Sequence, residues 1–237
     1  DEALPAWSPD GKQIAYVTRR GGEPDRHSNF DIYLVEPRAG ATERRLTSFD
    51  GADNDPDLES PISWSPDGRQ LAFVQGGEDK WIYYAPHQLA IVDVATGRTR
   101  IPAPIDRWFT QPRWSPDGRS VLALIEQSRV INLSRIEVAS GKVTPLTTGL
   151  RYDAGFALSK QGRIVVLGGD DVTPYQLAAL EQGGLRPLGS HNEWLAQKKL
   201  VRFENISFRS ADGTSIDGFV VKPPDYVPGR RYPTILR

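Results

Sequence analysis

Cysteine and methionine are both absent from the 237 residues, and histidine occurs three times. Without cysteine there is no disulfide and no thiolate metal site. His27, His87 and His191 are too scattered to supply paired ligands, so no metal and no cofactor is expected. The net charge of −1 carries no basic run or stripe, which argues against nucleic acid as a partner. No stretch approaches the ~20 apolar residues of a membrane-spanning helix. The opening, Asp1-Glu2-Ala3-Leu4-Pro5, has no signal-peptide pattern. With no initiator methionine, a processed product or an internal piece is expected.

What the chain has instead is a repeat. Trp7-Ser8-Pro9-Asp10-Gly11 returns as Trp64-Ser65-Pro66-Asp67-Gly68 and as Trp114-Ser115-Pro116-Asp117-Gly118. A worn copy reads Leu158-Ser159-Lys160-Gln161-Gly162. Ser-Pro-Asp-Gly suits a type I turn whose glycine takes the left-handed position, closing a hairpin with a bulge. An apolar strand follows each copy. The Trp before each turn is expected to end one strand and bury its indole between packed sheets, in equivalent positions of successive units.

The serines of the four copies are 57, 50 and 44 residues apart. Spacings of that size, filled with strands, predict the blades of a β-propeller, four strands to a unit. The fold class expected is therefore all-β, with about four blades. After Pro187 the pattern stops, which puts a boundary near residue 190. Ser190 to Glu193 reads as a capping box before a helical turn from Trp194 to Lys199. Three strands are then predicted: Val201–Phe208, Thr214–Lys222 and Tyr232–Arg237. The first two pair around Ser210-Ala211-Asp212-Gly213.

The blades, together with this tail, resemble the prolyl oligopeptidase family of serine peptidases, which includes acylaminoacyl peptidases and dipeptidyl peptidases. In the tail the resemblance rests on Ile206 to Thr214, Ile216-Asp217-Gly218, Lys222-Pro223-Pro224 and Tyr232 to Leu236. It implies that residues 1–190 are propeller blades, the last four of a larger ring. Residues 191–237 become a linker and the N-terminal strands of a truncated α/β-hydrolase domain. It also implies hydrolysis of short peptides or acyl-aminoacyl peptides, with the propeller restricting access. No Gly-x-Ser-x-Gly occurs, so no catalytic residue is assigned within the chain. The implied partners are short peptides, the further blades and the remaining hydrolase domain, with a homo-oligomer as an option. The alternative is a non-enzymatic propeller, similar to the Tol-type periplasmic ones, that binds protein partners.

The candidate substrate-binding residues are aromatic: Trp81, Tyr83 and Tyr84 in the long loop of the second unit, and Trp108 and Phe109 before the third. They either line a cavity facing the hydrolase or pack between blades. Asp50, Asp53, Asp55, Asp57 and Glu59 crowd one connection. They lack the turn Gly and distal Glu of a calcium loop, so a solvated acidic loop is expected.

Overall fold

The computed structural model describes residues 2–20, 26–81 and 84–236, and every structural statement below concerns those residues. The first blade consists of β1 (Glu2–Trp7), β2 (Ile14–Thr18), β3 (Asp31–Val35) and β4 (Arg44–Arg45). In the second, the inner strand is split into β5 (Gly51–Asp53) and β6 (Ser63–Trp64). It continues with β7 (Gln70–Glu78), β8 (Gln88–Asp93) and β9 (Thr99–Arg100). The third has β10 (Trp108–Trp114), β11 (Ser120–Gln127), β12 (Val130–Glu137) and β13 (Val143–Pro145). The fourth has β14 (Tyr152–Leu158), β15 (Ile164–Gly169), β16 (Gln176–Glu181) and β17 (Gly184–Pro187). Each blade is an antiparallel meander, and one parallel bridge, Ile131 to Tyr152, joins the third to the fourth.

The repeated pentapeptide makes the turn its chemistry predicts. Gly11 donates its N–H to the Ser8 carbonyl at 2.9 Å, with φ at +70°. The Ser8 hydroxyl donates to Asp10 Oδ1 at 2.7 Å and accepts the Gln13 N–H at 2.9 Å. Asp10 Oδ1 also accepts the Lys12 N–H at 3.1 Å. The same network recurs at Ser65–Asp67 and Ser115–Asp117, each with a 2.6 Å hydroxyl-to-carboxylate bond. The hydroxyl donors hold Asp10, Asp67 and Asp117 below the usual carboxylate range, with the backbone N–H adding to the effect. A further instance closes the tail hairpin, where Ser210 and Asp212 bond in the same way and Asp212 falls to about 2.

The core lies in three seams between blades. Val17, Ile32, Leu34, Leu71 and Phe73 fill the first; Leu89, Ile91, Phe109, Val121 and Ile125 the second; Leu122, Leu124, Leu133 and Val166 the third. The repeated tryptophans face back across these seams. Trp114 is only 6% exposed, and Trp64 donates its indole N–H to the Ala6 carbonyl at 3.0 Å. Trp7 departs from the expected equivalence: it is 59% exposed, so among the described residues no sheet covers its indole as the neighbouring blades cover Trp114. Arginines at the outer edge add a second repeated tie. Arg44 donates to the Val94 carbonyl at 2.8 Å and Arg100 to that of Val138 at 3.0 Å.

The tail differs from expectation in two places. A 3-10 helix covers Glu193–Gln197, and its N-cap Asn192 makes no side-chain capping bond, so the predicted capping box does not form. β18 (Glu204–Arg209) and β19 (Ser215–Val220) pair antiparallel as predicted. Residues 232–236 are not a strand: the Tyr232 ring packs on Tyr226 at 5.3 Å and its hydroxyl accepts the Val227 N–H at 3.0 Å. Among the described residues the segment joins no ladder, and these side-chain contacts hold it instead.

Candidate functional site

An antiparallel meander sends its connections alternately to opposite ends. The Pro-Asp-Gly turns lie at one end. The connections between second and third strands, and those from one blade to the next, lie at the other. This second end carries the candidate aromatics and the attachment of the tail.

The blade-to-blade connections are built on a six-residue step. At the first, the Thr47 hydroxyl accepts the Ile32 N–H at 2.9 Å, and Asp53 donates its N–H to the Phe30 carbonyl at 2.8 Å. At the third, the Thr147 hydroxyl accepts the Leu133 N–H at 2.9 Å and donates to Asp153 Oδ2. The second connection replaces this polar pair with Ala103 and Phe109, both buried. Phe109 donates its N–H to the His87 carbonyl at 2.9 Å, while its ring packs into the second seam. Phe109 is thus a core residue with no exposure: of the two alternatives, it packs between blades and does not line a cavity.

Asp53 and Asp153 sit in different electrical surroundings. Arg151 holds Asp153 through a 2.6 Å ion pair. Asp53 instead accepts a hydrogen bond from Gln75, whose Nε2 donates to Oδ1 at 2.8 Å, with weaker help from Thr47 and the Phe49 N–H, while its Oδ2 has no hydrogen-bond partner. Burial therefore drives Asp53 up to about 6, despite the opposing hydrogen bond from Gln75. Neighbouring Asp31 is also raised by burial, although Arg45 pairs with it at 2.7 Å. The expected solvated acidic loop is thus only partly one. Asp55 accepts the Asp57 N–H at 3.0 Å at the start of a 3-10 helix, Pro56–Leu58, but Asp53 is fully buried. Among the described residues no group of three or more His, Asp or Glu side chains is placed to hold a metal ion.

The other candidates do not form one pocket. Trp81 is half exposed and Tyr84 is 89% exposed. Tyr83 lies outside the described residues. Trp108 is half-buried and packs on His87, their ring centroids 4.2 Å apart. Burial lowers the His87 pKa, with Asp55 opposing. A second ring pair at this end, Tyr152 and Tyr175 at 5.8 Å, escapes a search for aromatic clusters in the sequence because 22 positions separate the two. A cleft of about 330 Å³ opens beside the third connection, lined by Leu150, Arg151, Asp170, Thr173 and Leu185 among others, and contains none of the candidate aromatics.

Comparison with known proteins agrees with this architecture. The model of the TolB beta propeller domain family matches residues 2–184, and the chain belongs to that family. Dipeptidyl-peptidase 5 of Porphyromonas gingivalis is 26% identical over 237 residues, which is 98% of this chain and 34% of that protein. The chain thus spans about a third of this curated relative's length. Among solved structures, an acylaminoacyl peptidase in complex with Z-Gly-Gly-Phe-chloromethyl ketone shares the fold over 97% of this chain and 33% of its own. The TM-score is 0.70 and the identity 21%. TolB from Acinetobacter baumannii shares it over 79% of this chain and 43% of its own, with a TM-score of 0.60 and 24% identity.

Proposed function

We propose that this chain is the propeller portion of a serine peptidase of the prolyl oligopeptidase family, acting on short peptides or acyl-aminoacyl peptides. The tail carries the reading. The family model ends at residue 184, whereas the likeness to dipeptidyl-peptidase 5 runs through 98% of the chain. The boundary near residue 190 belongs to this reading, with residues 191–237 as the linker and first strands of the hydrolase. The nucleophile, base and oxyanion donors that acyl transfer requires are then supplied from outside these residues. Trp81, Tyr84 and Trp108 stand at the end of the propeller to which the tail attaches, where they face incoming peptide. Short peptides, further blades and the rest of the hydrolase are its partners.

The test is turnover of a short-peptide or acyl-aminoacyl chromogenic substrate by the full-length protein. Activity abolished by an active-site serine reagent is expected, and none is expected from residues 1–237 alone. A full-length protein without turnover that captures a protein partner through its blades would favour the second reading, a TolB-like binding propeller. The blade match to that family supports this alternative.

A further inference from the structure

The turn between β11 and β12 is two residues long, and both have positive φ: Ser128 at +45° and Arg129 at +74°. Such hairpin turns favour Asn and Gly, and a Ser-Arg pair adopts this conformation at a cost. The strain places the Arg129 side chain against the tail. Its guanidinium carbon lies 5.3 Å from the Phe203 ring centroid and 5.4 Å from that of Phe219. The two rings are stacked on each other, 5.0 Å apart and within 6° of parallel. Arg129 is therefore one cation set almost equally close to two rings, Phe203 just before β18 and Phe219 within β19.

The side chain is mostly buried there. Its Nε and Nη1 have no hydrogen-bond partner, and Asp171 lies 3.6 Å from Nη1. A buried cation with so few acceptors is stable only if the ring faces and Asp171 compensate for lost water. Asp171 does double duty, since its Oδ2 accepts the Phe203 N–H at 3.1 Å. Beside it, Arg202 donates to Asp170 at 3.2 Å. The strain at the turn, the burial of the cation and the ring stack thus meet at the junction of the third blade, the fourth blade and the tail. An isolated two-stranded hairpin is marginal in water, so β18–β19 depends on such docking for its order.

We propose that Arg129 is a latch that holds the 203–220 hairpin against the third and fourth blades and sets the direction in which the chain leaves the propeller. The inference does not depend on the peptidase reading. Hydrogen–deuterium exchange of the intact protein tests it, read on peptides from the hairpin and from β11 and β15. Arg129→Gly is the main variant, because glycine fits the positive φ and relieves the turn while removing the side chain. Hairpin exchange at least tenfold faster, with β11 and β15 unchanged, is the expected result. Phe219→Leu should reproduce it, and Arg129→Lys, which keeps a cation, should fall between. Hairpin exchange within twofold of wild type in Arg129→Gly would overturn the latch. So would equal acceleration of the hairpin and of β11, which would make Arg129 a residue of the blade.

Discussion

The indole N–H of Trp64 donates to the carbonyl of Ala6 across the seam between the first and second blades, at 3.0 Å. A motif that reads as a local turn is therefore also a tie between blades. The pentapeptide closes its own hairpin, and its first residue reaches the sheet before it. How much each copy contributes depends on what it reaches.

Trp114→Ala should destabilise the protein by about 3–5 kcal/mol, the range for losing a buried aromatic side chain. Trp7→Ala should cost less than about 1 kcal/mol, since its indole is already largely in water. Urea midpoints of the two variants check the contrast. Equal losses would mean that Trp7 is covered in solution.

Asp53→Asn should stabilise the protein above pH 6 and flatten part of its pH dependence. The folded-state pKa, about 6, lies above the unfolded value near 3.9. The contribution of this carboxyl is therefore fully present below pH ~4 and is lost as pH rises through about 6, amounting to about 3 kcal/mol. His87, lowered by burial, acts in the opposite sense, so the difference between variant and wild type isolates Asp53. Denaturation at pH 4.5 and 7.5 measures it. A gain from the variant that is the same at both values would refute the assignment.

Gly141→Ala should be much more costly than Gly40→Ala. Both glycines have φ at +71° in the turn between third and fourth strands of their blades. A Cβ at Gly40 meets nothing within 4 Å, whereas one at Gly141 would lie 2.1 Å from the Pro102 carbonyl oxygen. The shared backbone strain is about 1–2 kcal/mol; displacement of a neighbouring blade connection adds to it only at Gly141. Thermal melts of the two single variants compare them directly, and equal shifts in Tm would show that the connection yields freely.

If Trp81 and Tyr84 receive peptide, replacing both with Ala in the full-length protein should lower kcat/KM several-fold through KM, with kcat and Tm little changed. Loss in kcat alone would place them elsewhere in the mechanism. Unchanged kinetics would remove them from the site.

The parts of the fold legible in the sequence are those decided within a few residues. The Ser-Pro-Asp-Gly turns carry their own donors, acceptors and positive-φ glycine, and the tail's Ser-Ala-Asp-Gly, which keeps the Ser, Asp and Gly, forms the same turn. The apolar strands and their spacing then give blades. For Phe109 cavity and core stay open in the sequence, because only comparison of the three connections shows that it fills the place of Asp53 and Asp153. Nothing near Ser128 or Arg129 in the sequence marks a strained turn, since the compensating rings stand more than 70 positions away.

By itself, then, the sequence determined the repeat, its turns, its strands and the point where the blade pattern ends, because local backbone chemistry and side-chain alternation suffice for each. Tertiary structure decided which tryptophan is buried, which aspartate loses its water, whether Tyr232 to Leu236 can be a strand and what Arg129 touches. Each of these depends on a surface contributed by a distant part of the chain, and burial, desolvation and ladder pairing do not exist until that surface arrives.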